Sequence, residues 1–592
     1  MKRILTFIVA VILLGSAAWA VPAKPGLITI TQSDGTKLQI QMFGDEFNRS
    51  LATADGLTIQ IGEDGFYYYR SAQGLTDMRA HNAEDRNPAE LEFLSNHNGE
   101  FTLAALSKVD KYVGTSSGHR ALMPQRATQV PTSGSPRIPI ILVQYADKKM
   151  SNTLEQIEAH YKTEEKSAFQ YFVDQSNGQY TPQFDLYGIY DLPNDRIFYG
   201  DNSGDLDVGV AQMVIDAIDL AGDEIDWSLY DNDGDNVADV CVVVYAGVGE
   251  AQAWSTVPAS VWPCQWDLTE AQQYGDGTGP QERNGIIIDK FAVFNEISGR
   301  YDNGTILDGI GTFCHEFSHC LGLPDFYSTI NTNYYGMGIW SLMDDACYNG
   351  GEVSGDTPIG YSAYEKNFMG WIDLITPEDN TQYTLPVFNS KNIDDDQALK
   401  ITAFNENEYW ILENRRQQGW DEFIPDEGIL ITHFTYVKNR WDANSVNNYN
   451  LQLATVIPAD GALNVRSEDT DLYGETNHDF TGDSSPAMKA NMNADGSLAS
   501  TTGGAGTITD KRVANIYLND DGTATLWYNR IVYGDVNGDG MVDVEDVNIL
   551  INIILHLDNA SNYGRRAFIT DDDIVDVEDV NAIINIILKT ED

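Results

Sequence analysis

The sequence predicts a multidomain chain in which a β-rich segment, an α/β domain, a β-sandwich-like domain and a small α-helical module follow one another. Three observations support this fold class. The chain has 592 residues, which is too long for one unit at roughly 100–200 residues per domain. Its hydrophobic periodicity changes from one region to the next, and residues 531–592 contain a duplicated segment.

The composition is strongly acidic. The chain has 36 Lys and Arg against 89 Asp and Glu, a net charge of −53, and 42% hydrophobic residues. A hydrophobic content this high is typical of folded domains rather than disorder. We expect no nucleic-acid partner, because a surface this negative repels phosphate backbones. Divalent cations are compatible with it.

The first 20 residues predict a signal peptide. A positively charged start precedes the apolar run Ile4–Leu14, and small residues at Ala18 and Ala20 form a cleavage site before Val21. The alternative is an uncleaved anchor, but the run is shorter than the ~20 residues that a membrane span needs. We therefore expect a secreted protein, extracellular or attached to the cell surface, with no membrane span in its mature chain.

Residues 21–110 predict a β-rich unit, and residues 111–137 predict a linker. Polar and apolar residues alternate over Lys37–Met42 and again over Leu57–Ile61, between Asp-Gly turns. The following stretch mixes Ser, Gly and Pro with isolated basic residues. Such a composition is typical of an exposed linker that proteases can reach.

Residues 138–375 predict an α/β domain. Apolar, β-branched runs of strand length occur at Ile138–Tyr145, Val240–Tyr245 and Ile286–Phe294. Helical periodicity occupies residues 154–174 and 208–221 between them. Strands that alternate with helices indicate an α/β architecture.

The last two regions return to strands and then to helices. Residues 376–530 contain short alternating strands and Gly, Asn and Asp turns, which predict a β-sandwich-like domain. In residues 531–592, the segments Asp543–Leu555 and Asp576–Leu588 are nearly identical and lie 33 residues apart. Each copy is a loop that leads into an apolar helix, so we expect a duplicated loop-helix module.

One helix in the α/β domain carries a metal-binding pattern. His315 and His319 are four residues apart, so on a helix both imidazoles can reach one ion. Glu316 can direct a carboxylate at a water on that ion without binding the ion itself. Zinc held in this way activates water for attack on a peptide carbonyl. Gly322 is predicted to end the helix.

The residues alone leave the identity of the third zinc ligand open. Asp325 follows the turn after the helix and is our first candidate, with Glu352, Glu365 or His433 as alternatives. The competing interpretation of the whole motif is a structural helix with two satisfied histidines.

The span His315–Asp325, with Trp340–Asp344 and Tyr361–Trp371 after it, resembles the immune inhibitor A family of secreted bacterial metallopeptidases. The resemblance extends from about residue 22 to 530. It implies a zincin-type catalytic domain, zinc on His315, His319 and Asp325, and Met343 beneath the metal. It also implies that residues 21–110 are a pro-segment. Cys314 and Cys320 depart from the family pattern, and we expect them to be buried thiols.

An acidic loop earlier in the domain predicts a calcium site. Carboxylates occupy positions 1, 3, 5 and 9 of the loop, a spacing with which a turn wraps Ca²⁺. The acid at position 12 is missing, so a solvated acidic turn remains the alternative. The four candidate ligands are Asp231, Asp233, Asp235 and Asp239.

The first copy of the C-terminal repeat has a fuller calcium pattern and resembles a type I dockerin module. That resemblance implies docking to a cohesin-type scaffold protein. Its candidate ligands are Asp535, Asn537, Asp539, the Met541 carbonyl, Asp543 and Asp546. The second copy has Phe568 at position 1 and keeps only Asp572, Asp576 and Asp579, so we expect a weaker site there.

The sequence therefore predicts a secreted zinc endopeptidase that acts on protein or peptide substrates. We expect it to be made as a latent precursor and docked through a calcium-binding module. Two alternatives remain open: a non-catalytic surface or scaffold-bound adhesin with a structural zinc, and a carbohydrate-processing scaffold component.

Overall fold

The computed structural model describes residues 19–45, 50–62, 64–102, 130–203, 206–253, 257, 259–329, 336–390, 392, 395–448, 451–459, 471–474, 489–491, 507–508, 511–529, 533–537, 542–570, 572 and 574–590. The predicted signal peptide up to residue 18, linker residues 111–129, and the predicted calcium ligands Asp539 and Met541 lie outside these residues. None of the helices described is long and apolar enough to cross a membrane.

The chain before residue 103 is rich in β-structure. Its elements are β1 (Trp19–Ala20), β2 (Leu27–Thr31), β3 (Lys37–Phe43), β4 (Ser50–Thr53), β5 (Thr58–Ile61), β6 (Tyr67–Ser71), β7 (Gly74–Arg79) and helix α1 (Pro88–Asn96). Strands β2 to β7 form a six-stranded antiparallel sheet in chain order. The alternation in β3 turns Leu38, Ile40 and Met42 into the core.

The alternating pattern does not predict helix α1. Asn87 caps this helix by accepting hydrogen bonds from the backbone N–H groups of Ala89 and Glu90, and Pro88 is its first residue. Glu90 is buried and accepts a hydrogen bond of 2.8 Å from the Tyr69 hydroxyl, which fixes the helix to β6.

The end of the predicted linker is part of the folded domain. Val130 is buried, and its N–H donates a 3.2 Å hydrogen bond to the Cys320 carbonyl. Gly134 forms a bridge with Tyr180. Any exposed cleavage site in this region therefore lies before residue 130.

The central region contains a mixed sheet and its helices. The strands are β8 (Arg137–Gln144), β9 (Gln183–Asp191), β10 (Asn202–Ser203), β11 (Leu206–Asp207), β12 (Val237–Ala238), β13 (Cys241–Val248), β14 (Cys264–Asp267), β15 (Gln281–Arg283), β16 (Ile286–Ile288) and β17 (Lys290–Ile297). The helices are α2 (Leu154–Lys162), α3 (Ala168–Gln175), α4 (Arg196–Gly200), α5 (Val210–Ala221), α6 (Glu250–Ala253), α7 (Leu268–Gln273), α8 (Ile310–Cys320) and α9 (Ala363–Phe368).

The main sheet of this region has the order β1-β14-β17-β13-β8-β9. Strands β17, β13, β8 and β9 are parallel, and β14 and β1 are antiparallel additions at one edge. Every residue of β13 is buried, as expected for a parallel strand covered on both faces. Helix α8 contacts β1, β14 and β17, so it lies at the antiparallel side of the sheet.

The prediction of one strand over Ile286–Phe294 is wrong. The run divides at Asp289, where the carboxylate accepts hydrogen bonds from the backbone N–H and the hydroxyl of Thr269. Strand β16 pairs with β12 and β15, whereas β17 joins the main sheet.

The predicted helix over 154–174 is two helices, α2 and α3. Ser167 starts the second by accepting a hydrogen bond from the N–H of Gln170. In both regions, a polar side chain inside an apolar stretch of sequence ends one element and starts the next.

The described residues of the following region form two larger antiparallel sheets and one two-stranded antiparallel sheet. Its elements are β18 (Thr381–Leu385), β19 (Leu399–Thr402), β20 (Glu408–Arg415), β21 (Gly428–Thr435), β22 (Ala454–Val456), β23 (Lys489–Ala490), β24 (Thr507–Ile508), β25 (Val513–Leu518), β26 (Ala524–Tyr528) and helix α10 (Lys438–Asp442). The sheet β19-β20-β21-β22 shares a core with the sheet β18-β26-β25.

Strand β21 is buried on both faces. Ile429 and Ile431 pack against the second sheet, whereas Leu430 and Phe434 join the core of the preceding α/β region. The two regions therefore share a packed interface. The C-terminal repeat adds α11 (Val544–Ile554) and α12 (Val577–Thr590), which contact each other over a small core.

Candidate metal centre

Helix α8 is fully buried, and its first turn packs closely against the backbone of Cys347. An added Cβ on Gly311 would lie 1.8 Å from the Cys347 carbonyl oxygen. The helix ends before Gly322, which has φ +105°, a conformation that favours glycine. This agrees with the predicted role of Gly322 as a helix stop.

The two histidines of α8 are oriented by backbone carbonyls. The Nδ1 of His315 lies 2.7 Å from the Leu342 oxygen, and the Nδ1 of His319 lies 2.8 Å from the Leu323 oxygen. A carbonyl only accepts, so each Nδ1 carries the hydrogen and each neutral imidazole keeps a lone pair on Nε2.

Both Nε2 atoms converge on Asp325. Its Oδ1 lies 3.1 Å from the Nε2 of His315 and 3.3 Å from that of His319. Acceptor atoms that converge in this way are stabilised by a cation between them, a proton or a metal ion. Two imidazoles and a carboxylate are a zinc donor set, so these residues fit zinc.

The electrostatics agree with this arrangement. Burial would raise the pKa of Asp325, but positive charge placed beside it at His319 and His315 lowers the pKa below its usual value, so the carboxylate favours a cation at this position. Burial lowers the pKa of His319, which favours the neutral form that binds metals.

Glu316 lies beside the two histidines. It is buried, and its carboxylate and the two imidazoles have ligand atoms within 4.8 Å of one another. Tyr348 and Cys347 are close enough to interact electrostatically with this carboxylate. A carboxylate therefore lies beside the two histidines whose Nε2 atoms approach Asp325.

The turn that contains Met343 supports the site. The preceding residue, Leu342, supplies the carbonyl that orients His315, and the Met343 carbonyl accepts a 2.8 Å hydrogen bond from the N–H of Phe326. Met343 thus joins the two chain segments that carry the candidate ligands.

The other candidates for the third ligand are engaged elsewhere or exposed. Glu365 accepts hydrogen bonds from Ser341 and Ser362, and His433 lies 2.8 Å from Glu408. Glu352 is exposed. Asp325 is the candidate that the fold brings to the histidines.

An N-terminal segment occupies the edge of the sheet beside α8. Strand β1 pairs with β14, and the next residues are buried. Trp262 donates a hydrogen bond of 3.0 Å to the Val21 carbonyl, and the Tyr348 hydroxyl donates one of 2.6 Å to the Pro22 carbonyl. Sequence reasoning did not identify Tyr348, which is 326 residues from its partner.

The acidic loop also brings carboxylates together. Asp231, Asp233 and Asp239 have oxygens within 4.8 Å of one another, whereas Asp235 accepts a hydrogen bond from the N–H of Val237. Burial raises the pKa of Asp239 to about 7. Asn236 has φ +68°, so Asn replaces glycine in the left-handed conformation at loop position 6.

The two C-terminal loops are built alike. Asp546 accepts hydrogen bonds from the N–H groups of Val536, Asn537 and Asp543, and Asp579 accepts them from the equivalent residues one repeat later. Asp543 caps α11. Asp535 is buried, and Asp572 and Asp576 accept local backbone hydrogen bonds. Among the described residues of these loops, no three His, Cys, Asp or Glu side chains have ligand atoms within 4.8 Å of one another, as three do in the acidic loop.

The five cysteines are buried thiols that form no disulfide with one another: Cys241, Cys264, Cys314, Cys320 and Cys347. Burial raises the pKa of the Cys314 thiol. The expectation of buried thiols beside the histidines therefore agrees with the structure.

Comparison with known proteins supports a peptidase domain at this position. Residues 144–371 match the family model described as the immune inhibitor A peptidase M6 catalytic domain. This stretch includes α8 and the Met343 turn, so the comparison indicates a metallopeptidase.

Two relatives are similar over the same part of the chain. Immune inhibitor A of Bacillus thuringiensis subsp. alesti is 28% identical over 226 residues, which are 34% of this chain and 31% of that protein. The pre-pro-metalloprotease PrtV of Vibrio cholerae serotype O1 (strain M66-2) is 28% identical over 225 residues, or 34% of this chain and 23% of that protein. The chain thus spans less than a third of the length of these curated relatives.

Proposed function

We propose that this chain is a zinc-dependent endopeptidase. The observation that carries the proposal is the convergence of the His315 and His319 Nε2 atoms on Asp325, with Glu316 beside them. His315 and His319 would hold zinc through one nitrogen each, and Asp325 through one oxygen. Bound zinc lowers the pKa of water toward ~7 and polarises a carbonyl.

Glu316 then acts as the general base. It accepts the proton of the attacking water and transfers it to the amine that leaves when the peptide bond breaks. Helix α8 is buried, and charge interactions of the Glu316 carboxylate are stronger in such low-dielectric surroundings than in water.

The test of this function is metal-dependent hydrolysis of an unfolded protein substrate. We expect the processed chain to cleave it, to lose activity with a chelator, and to regain activity when zinc is restored. Bound zinc without hydrolysis would favour the adhesin instead. Cleavage of a polysaccharide but not of protein would favour the carbohydrate-processing component.

We infer that the protein is secreted as a latent precursor. The predicted signal peptide supports export. After the signal peptide is removed, the segment Val21–Lys24 remains at the new N-terminus. This segment is hydrogen-bonded to Trp262, Tyr348 and Ala251, at the sheet edge beside α8. An extended substrate that adds a strand at this edge would need the space that the segment occupies, so the two would compete.

We propose that the C-terminal module docks onto a cohesin-type scaffold protein. Helices α11 and α12 present matching apolar side chains to solvent. Val544 and Val577 are 64% and 62% exposed, and Leu555 and Leu588 are 60% and 59% exposed. Apolar groups repeated on two neighbouring helices are typical of a binding surface.

We also propose calcium as a second cofactor. The acidic loop offers Asp231, Asp233 and Asp239 as the closest group, and the first C-terminal loop offers the fuller ligand pattern. The second C-terminal loop, with Phe568 at position 1, would bind calcium weakly or not at all.

A further inference from the structure

The chain segment that carries Asp325 is held by three asparagines from the β-rich region that follows the peptidase domain. We call Asn444, Asn447 and Asn448 the asparagine clasp. Asn447 donates a 2.6 Å hydrogen bond to the Phe326 carbonyl, and Asn448 accepts one of 2.8 Å from the N–H of Thr329. All three are buried.

Asn444 contacts Asp325 itself. Its side-chain oxygen accepts a 2.8 Å hydrogen bond from the Asp325 N–H, and its amide donates one of 2.5 Å to Oδ2 of the same residue. The other carboxylate oxygen, Oδ1, faces the two histidines. Asn444 therefore determines which oxygen is directed at the metal position.

The local backbone explains why asparagine suits this position. Asn444 follows the end of α10 and has φ +46°, which asparagine adopts more readily than most residues. Its amide offers one donor and one acceptor on the same short side chain. Aspartate would lack the donor to Oδ2, and alanine would lack both groups.

We propose that Asn444 is a positioning residue that orients the Asp325 carboxylate for zinc binding. This makes the β-rich region part of the metal centre rather than an appended domain. The inference rests on the proposed zinc function. Groups that hydrogen-bond to a metal ligand restrict its orientation, and their loss typically weakens metal binding about 10–100-fold.

The test compares zinc affinity in three full-length proteins. Asn444→Gly keeps the positive φ and removes both hydrogen bonds, and we expect it to weaken zinc binding about 10–100-fold in chelator competition. Asn448→Ala is the matched control, since it removes a buried clasp residue that bonds Thr329 rather than Asp325. We expect its zinc affinity to remain within about threefold of wild type.

A spectroscopic measurement distinguishes a changed orientation of the Asp325 carboxylate from a general loss of packing around it. Cobalt-substituted Asn444→Gly should show altered ligand-field bands, whereas Asn448→Ala should keep the wild-type spectrum. If Asn444→Gly does not fold, Asn444→Ser supplies the same test, because its hydroxyl is too short to make both hydrogen bonds. We expect the same weakening and spectral change.

Two results would overturn the inference alone. One is zinc affinity in Asn444→Gly within threefold of wild type, and the other is an equal loss in Asn448→Ala. A wild-type protein that binds no zinc would instead overturn the proposed function, and the inference with it.

Discussion

Gly311 shows how a single residue determines the position of the helix that carries His315 and His319. Its Cα approaches the Cys347 carbonyl so closely that a Cβ would lie 1.8 Å from the oxygen. We expect Gly311→Ala to lower the free energy of unfolding by about 3 kcal/mol, because the backbone on one side must move. Chemical denaturation measures this change.

Gly304→Ala is the matched control for that prediction. A Cβ there would lie 3.9 Å from its nearest neighbour, the Ser298 carbonyl oxygen. We expect a change within about 0.5 kcal/mol. Equal effects of the two substitutions would show that close packing of α8 does not limit stability.

The residues of the candidate site differ in how far the sequence could predict them. His315, Glu316 and His319 follow from the helical period, because their contacts depend on spacing along one element. Asn444 contacts Asp325 across 119 residues, and Tyr348 contacts Pro22 across 326. One sequence contains no signal for pairs brought together only by tertiary packing.

At the scale of the element, the acidic loop should bind calcium in a pH-dependent way. Burial raises the pKa of Asp239 to about 7, so a proton competes with the cation below that pH. The affinity should fall as pH decreases through about 7, by up to ~10-fold per pH unit for one proton. Calorimetry in buffers of different ionisation enthalpy measures the released proton.

Asp239→Asn tests whether this carboxylate is the source of the pH dependence. The variant should bind calcium more weakly and with an affinity that changes little between pH 6 and 8. An unchanged pH profile would contradict the assignment of the proton to Asp239.

The helices α11 and α12 should act together in docking. Substituting both Leu555→Asp and Leu588→Asp places charge on the exposed apolar surface, and we expect binding to a cohesin-type domain to be lost. Because both side chains are exposed, thermal stability should change little. Glu545→Gln, on the exposed start of α11, is the control, and equal binding by all three proteins would contradict the docking surface.

Secondary structure was predictable where the periodicity was long and uninterrupted. The strands Arg137–Gln144 and Cys241–Val248 and the two C-terminal helices lie where the apolar runs predict them. The run over Ile286–Phe294 was not predictable as two strands, since its division depends on hydrogen bonds that Thr269 in helix α7 donates to the Asp289 carboxylate.

At the scale of the whole molecule, the N-terminal β-unit should suppress activity. Cleavage between residues 111 and 129 and removal of the N-terminal fragment should raise activity at least about 10-fold, because Val21–Lys24 would no longer compete with substrate beside α8. The uncleaved zinc-loaded protein is the control. Equal rates before and after removal would contradict latency.

Composition did not predict that the β-rich region contributes residues to the hydrophobic core of the α/β region. Strand β21 reads as an apolar run in the sequence, but its two faces belong to different cores. The asparagine clasp contacts the Asp325 segment, so residues from both sides of the predicted boundary at 375 surround the candidate metal centre.

The central claim is that His315, His319 and Asp325 hold zinc while Glu316 performs the proton transfer. The most direct measurement determines zinc content and proteolytic rate in the same preparation of processed Glu316→Ala protein. We predict about one zinc per chain, as in wild type, and a rate lower by at least ~10³-fold, since Glu316 is the base but not a ligand. A rate above a tenth of wild type, or loss of the zinc with the activity, would contradict the account.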